Sequence, residues 1–263
     1  MVKQFLVATL FDFPFRECHN RQSSEHRQQL IPPIVYQTWE TKKLGRRHLR
    51  SIERFRDANS DLCFVLLDKF ERDAYMSKNW SHSVIYEIYN RALFGALQAD
   101  IFRYCMIYDR GGYYFDISKG TKVAITSLHD SSAEGLISFE NNLSEIGKGP
   151  ENLLKPSNLV IQWGFGFAPR HLILARHIER LEQTFTDFLG RKFLSPKSAI
   201  LEFSGPIAFT STVHEFALQN SMSAVTQLDI DFSSQGLYSL NGAGSRFIRY
   251  PSYASVRDSA IFL

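Results

Sequence analysis

The stretch from residue 96 to 120, ALQADIFRYCMIYDRGGYYFDISKG, holds the side chains best suited to do chemistry. Asp100 and Arg103 stand three residues apart, a spacing that places both on one face of a helix. A carboxylate there can accept two hydrogen bonds from ribose hydroxyls, and a guanidinium can donate several to a base edge or a phosphate. The same pair read as a surface ion pair would be worth only ~0.3 kcal/mol. Asp116 closes the aromatic run Tyr113, Tyr114, Phe115. Ligands of open α/β sheets bind outside the carboxyl ends of the strands, so a strand-end carboxylate is well placed to meet one. Asp116 is otherwise a turn residue opening DISKG, with Ser118 and Gly120 as turn formers. Trp39 offers a flat indole for stacking or, equally, apolar area for a core. Glu140, followed by Asn141 and Asn142, is a second carboxylate able to touch a donor or an acceptor, or a strand-end loop residue.

The elements that must position these groups are legible as an α/β pattern. IPPIVYQTW starts a buried strand behind two prolines, and KKLGRRHLRSIERFRDANSD spaces Leu49, Ile52 and Phe55 as a helix. LCFVLLD is continuous and apolar, the mark of a strand covered on both faces. Strand, helix, strand favours a parallel arrangement. SVIYEIYNRALFGALQADIFRYCMIYD reads as helix with a break near Gly95, stopped at Gly111–Gly112. Strands are expected at YYFDI, TKVAI, GLISFE and within NLVIQWGFGFAP. A long amphipathic helix should follow to Gly190, and another should open at Pro206. VTQLDID and GLYSL suggest short strands, and no internal repeat is visible.

Composition narrows the function. With 263 residues, 44% hydrophobic and 22% charged, the chain can bury one sizeable core, and a single domain over 1–263 is the expected organisation. Within it 1–30 forms a polar extension and 211–263 the part with the weakest pattern. A net charge of +3, without zinc-finger or RNP-like motifs, argues against nucleic acid. Cys18, Cys63 and Cys105 form no CxxC, and the eight histidines form no HExxH. Both point to a reducing, cytoplasmic setting without a thiolate or histidine metal site. GFGF lacks the third glycine of a dinucleotide fingerprint because Pro169 stands there. No stretch approaches the ~20 apolar residues of a membrane span. The basic run Lys42, Lys43, Arg46, Arg47, Arg50, Arg54, Arg56 is either a solvated helix face or a contact for anionic headgroups at the inner face of a membrane.

Three segments carry a family resemblance: IPPIVYQTW at 31–39, ALQADIFRYCMIYDRGGYYFD at 96–116 and FSGPIAFT at 203–210. Over about residues 31–210 the chain resembles glycosyltransferase family 32, whose sugar-binding region contains a DXD motif and which includes fungal initiating mannosyltransferases. It is more distantly similar to the glucosyltransferase domain of large clostridial toxins. The resemblance implies a GT-A-like fold, with a mixed, mostly parallel sheet flanked by helices. It also implies transfer of a hexose with retention from a UDP- or GDP-sugar to a glycan, a glycolipid or a lipid-linked surface-polysaccharide acceptor. Carried over by position, Trp39 would stack on the base, and Asp100 and Arg103, with Tyr114 beside them, would hold ribose, base or sugar hydroxyls. Asp116 would be the first acid of DXD, serving both donor binding and catalysis. The second acid, which holds Mn²⁺ or Mg²⁺ in the family, is Ser118 here, a weaker ligand for a hard cation. Three expectations follow: a cation held by Asp116, Ser118, phosphates and water; its replacement by Lys119, Arg246 or Arg249; or a silent sugar-nucleotide-binding module. A glycoside hydrolase built on Asp116 and Glu140 is the remaining rival.

Overall fold

A computed structural model describes residues 13–14, 29–144 and 146–263. Most of the expected N-terminal extension and Cys18 lie outside these residues. Numbering the main elements in chain order, β1 (Ile34–Thr38), α1 (Arg46–Asp57) and β2 (Cys63–Leu67) form the expected unit, with β1 and β2 parallel. Next come α2 (Lys69–Trp80), α3 (Val84–Arg91), α4 (Gly95–Arg110) and β3 (Gly112–Phe115). The second half adds β4 (Gly135–Leu143), β5 (Asn158–Val160), β6 (Gly164–Phe167), α5 (Leu172–Phe188), α6 (Pro196–Phe203), α7 (Pro206–Gln219) and β7 (Val225–Asp229).

Among the described residues the main sheet has seven strands in the order β7-β4-β6-β3-β1-β2, with β5 paired to β4. The pairs β1–β2, β1–β3 and β4–β7 are parallel, whereas β6 runs antiparallel between β3 and β4. The sheet is therefore mixed but mainly parallel. Side chains alternate between its faces as strand geometry requires. Tyr36, Tyr114, Phe139 and Phe165 pack with Ile101, Tyr104 and Phe209 of α4 and α7, while Val35, Tyr113 and Phe115 pack with Phe55 of α1. Both faces are covered, which is why the strands read as continuous apolar runs.

The glycines of GFGF answer to this packing. Gly164 and Gly166 pair with Phe115 and Tyr113 across β3–β6, and a Cβ at either would meet the facing aromatic ring. Gly111 and Gly112 adopt φ of 66° and 99°, which ends α4 and turns the chain into β3 within one residue. That tight return brings Asp116 to the carboxyl end of the interior strand β3, beside the α4 face bearing Asp100 and Arg103.

Two expectations change. TKVAI is not a strand beyond Gly120–Thr121, which pairs with Gly236–Leu237; Ile125–Leu128 is a 3-10 turn whose start is fixed by Asn59 Oδ1 accepting from the Ile125 amide at 2.7 Å. The sequence reading also passed over α2, which Asp68 and Glu71 start with a reciprocal capping box. The C-terminal chain folds back over the α3–α4 junction, with the Leu93 amide donating to Ile261 O at 3.0 Å and the Leu263 amide to Arg91 O at 3.0 Å. This return carries the short helix Arg246–Arg249 and Tyr253 to the mouth of a cleft at the carboxyl ends of β1 and β3.

Candidate active site

The cleft encloses about 650 Å³. Trp39, Asp100, Arg103, Tyr114, Asp116 and Ser118 all line it. Asp100 and Arg103 are each only 4% exposed, so the surface ion-pair reading does not hold. Arg103 Nη2 lies 2.9 Å from Asp100 Oδ1 and 3.1 Å from Asp116 Oδ1, so a single guanidinium joins the helix carboxylate to the strand-end carboxylate. Its Nη1 donates to Gln162 O at 2.8 Å and Oε1 at 3.1 Å, and its plane rests 4.5 Å from the Tyr114 ring centroid. Tyr114 OH donates to Asp116 Oδ1 at 2.9 Å, and Ser204 Oγ to Asp100 Oδ2 at 2.8 Å. Asp100, Asp116 and Gln162 are in turn held by Ser204, Tyr114 and Tyr104, which is what holding a polar ligand in one pose requires.

Asp116 opens a turn that clarifies its neighbours. The Lys119 amide donates to Asp116 O at 2.8 Å, closing the four residues Asp116–Lys119, and His48 Nε2 of α1 donates to Ile117 O at 2.8 Å. Ile117 is pinned in the small core under Trp39, and Ser118 faces the cleft. As the last residue of the turn, Lys119 sets its Nζ 5.2 Å from the Trp163 ring and 5.1 Å from that of Tyr238, where Asp116, Glu140 and Arg246 all act on its charge. Lys119 and Glu140 are not among the cleft-lining residues. Glu140 accepts from Asn142 Nδ2 at 3.1 Å, and burial pushes its carboxyl up, with Asn142 and Lys119 opposing.

Trp39 is half-buried. It packs on the core of Leu44, Ile52 and Leu66, and Phe247 and Tyr250 meet it edge-on with ring centroids 6.3 and 6.1 Å away. Arg72 joins the cleft from α2, donating to Tyr89 OH at 3.0 Å and Thr38 Oγ1 at 3.2 Å, with Glu40 Oε1 at 3.5 Å. Sequence reasoning missed Arg72 and Gln162 as cleft groups and Ser204 as the buried partner of Asp100. For Gln162 the available signal was a polar residue inside the apolar run NLVIQW. Ser204 lay inside the quoted FSGPIAFT.

Burial sets the electrostatics. It pushes the Asp100 carboxyl up to about 6, opposed by Arg103 and Ser204. Burial weakens the charge on Arg103, but Asp116, Tyr114 and Asp100 outweigh it and hold its proton more firmly than usual. Burial also lowers His48 and His171 to about 4 and His177 to about 3. Unfolded histidines take up protons near pH 6.5 and these folded ones do not, so their stabilisation is full above that pH and is lost as pH falls towards 4. From pH 7 to 5 each should cost roughly 1–2 kcal/mol, while the raised Asp100 returns about 1 kcal/mol in the opposite sense. Urea melts at the two pH values should show the folded state weaker at pH 5, and a higher midpoint at pH 5 would contradict this.

The divalent cation implied by the DXD resemblance meets an unsuitable donor set. Only Asp116 of the motif is an acid, its Oδ1 is already shared by Arg103 and Tyr114, and the described residues contain no group of three or more His, Cys, Asp or Glu able to hold a metal. Beside Ser118 stands a cation instead, with Arg246 Nη2 3.4 Å from Ser118 Oγ. These residues do not fit a protein-held divalent ion.

Residues 45–133 match the family described as "Glycosyltransferase sugar-binding region containing DXD motif". The match includes the 96–116 segment and begins after Trp39. Inositol phosphoceramide mannosyltransferase 2 of Schizosaccharomyces pombe is 26% identical over 102 residues, 38% of this chain and 29% of that protein. Inositol phosphoceramide mannosyltransferase 3 of the same organism is 21% identical over 158 residues, 57% of this chain and 43% of that protein. The matched part is thus less than half the length of either relative. Among solved structures, PaToxG glycosyltransferase superposes with a TM-score of 0.50 at 13% identity, covering 70% of this chain and 69% of that one, which speaks to the fold. Residues 45–133, which include Asp100, Arg103 and Asp116, are thus similar to the sugar-binding region of the DXD-type glycosyltransferases, and the fold is GT-A-like, similar to that of PaToxG glycosyltransferase.

Proposed function

We propose that this protein is a retaining hexosyltransferase that takes its sugar from a UDP- or GDP-linked donor and passes it to a glycan or lipid-linked acceptor. The observation that carries the reading is the convergence of Asp100, Arg103 and Asp116 beside Trp39 in one cleft at the carboxyl ends of the strands. Trp39 supplies a surface for the nucleobase, the two carboxylates accept from hydroxyls of ribose and sugar, and Arg103 fixes both carboxylates.

Bond breaking between the anomeric carbon and the diphosphate oxygen places negative charge on the leaving group, and preorganised cationic donors stabilise it. Asp116 Oδ1 is held by Arg103 and Tyr114, which suits a carboxylate that orients the donor better than one that attacks it. Retention then follows from same-face attack. The acceptor oxygen bonds to the anomeric carbon on the side the diphosphate leaves, and its proton passes to a departing phosphate oxygen. Both curated relatives are named for mannose transfer to inositol phosphoceramide, which supports a hexose and a lipid-linked acceptor. Exposed Leu93, Phe247 and Ile248 offer an apolar rim next to the cleft for such an acceptor at the membrane surface. The basic run divides, with Arg47, Arg50 and Arg54 exposed on α1 and Arg56 buried over the Phe64 ring. The exposed part supports peripheral contact with anionic headgroups.

Ser118 in place of the second acid favours one other reading, a module that binds a sugar nucleotide without cleaving it. Calorimetric titration with UDP and with GDP tests the donor site that both readings share. One nucleotide should bind, and Trp39→Ala should weaken it by about 5–150-fold, as expected from ~1–3 kcal/mol of base stacking. If neither nucleotide binds, the donor site is wrongly assigned.

A further inference from the structure

The cations lining the cleft are Lys69, Arg72, Arg103 and Arg246. Three of them have their charge met by protein. Lys69 pairs with Asp73 at 2.7 Å, Arg72 faces Glu40 at 3.5 Å, and Arg103 serves Asp100 and Asp116. Arg246 makes no ion pair among the described residues. Its Nη1 donates to Ala243 O at 2.5 Å and its Nη2 to Ser118 Oγ at 3.4 Å, both neutral acceptors. Its buried Nε has no protein partner, which leaves a donor for a ligand oxygen. The guanidinium is also held in place, 4.2 Å from the Phe247 ring centroid and 5.3 Å from that of Trp39. A fixed cation without an ion pair among the described residues, felt by the Asp116 carboxylate only through space, therefore stands between the surface proposed for the base and the serine where the DXD pattern has its second acid.

Arginine suits this position because its planar fork offers several fixed donors and keeps its charge when partly buried. An acid at 118 would instead pair with Arg246 and cancel that charge.

We propose that Arg246 supplies at the donor diphosphate the positive charge that a divalent cation supplies where the motif keeps both acids, so that this chain binds its donor without metal. This rests on the donor-site reading above and gives Arg246, rather than the sequence neighbour Lys119, the counter-charge role. The diphosphate lies against Nη2 and Nε, with Ser118 Oγ as a neutral hydrogen-bonding neighbour.

The test is calorimetric titration of the full chain with UDP and GDP, each in EDTA and again in Mn²⁺. The nucleotide that binds should do so in EDTA with an affinity within about twofold of that in Mn²⁺. Arg246→Gln should weaken it about tenfold or more in EDTA, and Arg246→Lys, which keeps the charge but loses the fork and the planar stack, should fall between the glutamine variant and the parent. Binding that appears only with Mn²⁺ overturns the proposal while leaving the donor site standing. So does an Arg246→Gln variant of unchanged affinity, or a lysine variant as weak as the glutamine one, which would make Arg246 a support for Trp39. Absence of binding in both buffers overturns the donor site and this proposal together. The EDTA and Mn²⁺ comparison on the unaltered protein decides the matter without relying on the folding of any variant.

Discussion

Arg103→Ala is expected to abolish sugar transfer and to destabilise the fold in the same stroke. The side chain of Arg103 is 5% exposed and is the cation paired with Asp100 at 2.9 Å and Asp116 at 3.1 Å. Removing one partner of a buried ion pair leaves the others uncompensated and costs about 3–5 kcal/mol. In a chain of this size that lowers the melting temperature by roughly 10 °C. Losing a preorganised donor also costs about 10²–10³ in turnover, and displacement of both carboxylates should add to it. Arg103→Lys should recover little, because a single ammonium cannot reach Asp100, Asp116 and the two oxygens of Gln162 at once. Adding Asp116→Asn to Arg103→Ala removes one of the stranded charges, so it should restore part of the melting temperature and none of the activity. Thermal melts alongside turnover separate the two effects. An Arg103→Ala protein as stable and active as the parent would show that the triad is not organised by this guanidinium.

Asp116→Asn alone should do the reverse, leaving the fold nearly intact while removing turnover. An asparagine keeps an oxygen for the Tyr114 hydroxyl and the Arg103 N–H and has almost the same shape. Asp116 is the more open of the two carboxylates, with its side chain 33% exposed, so its charge contributes less to the packed interior than that of Asp100. The loss falls on hydrogen bonds to donor hydroxyls. Bonds to an ionised acceptor are roughly twice as strong as neutral ones. A deficit of about 3 kcal/mol at the transition state means about 100-fold slower turnover. Melting temperature should stay within a few degrees. A variant with full activity would remove Asp116 from the site, and one that unfolds would make its role structural.

The parts of this site that could be read from sequence are those whose geometry is local. Asp100 and Arg103 sit at helical spacing, Gly111–Gly112 turns the chain, and the YYF run carries Asp116 to a strand end, so short-range rules place all three. The strands were legible because both faces of the sheet are covered, as the apolar runs required. What sequence could not show depends on closure of the chain on itself. Gln162 and Ser204 reach Arg103 and Asp100 across separations of 59 and 104 residues, and Arg246 reaches Ser118 across 128. Lys119 illustrates the converse. It adjoins Ser118 in sequence, but the turn that presents Ser118 to the cleft sends the next side chain to Trp163 and Tyr238. Trp39 falls between the two readings its type allowed, resting on a small core while still lining the cleft. The helix α2 was passed over although its capping box, Asp68 and Glu71, was present in the sequence.

Turnover of the donor tests the central claim most directly. Purified protein should be incubated with UDP-hexoses and GDP-hexoses, with and without a glycolipid acceptor, while release of nucleoside diphosphate and the anomeric form of the product are followed by NMR. Donors of one base class should be cleaved, faster with acceptor, and the transferred sugar should keep the donor's anomeric configuration. A protein that binds the nucleotide but releases no diphosphate from any donor, in either condition, would contradict the assignment and leave a binding module in its place.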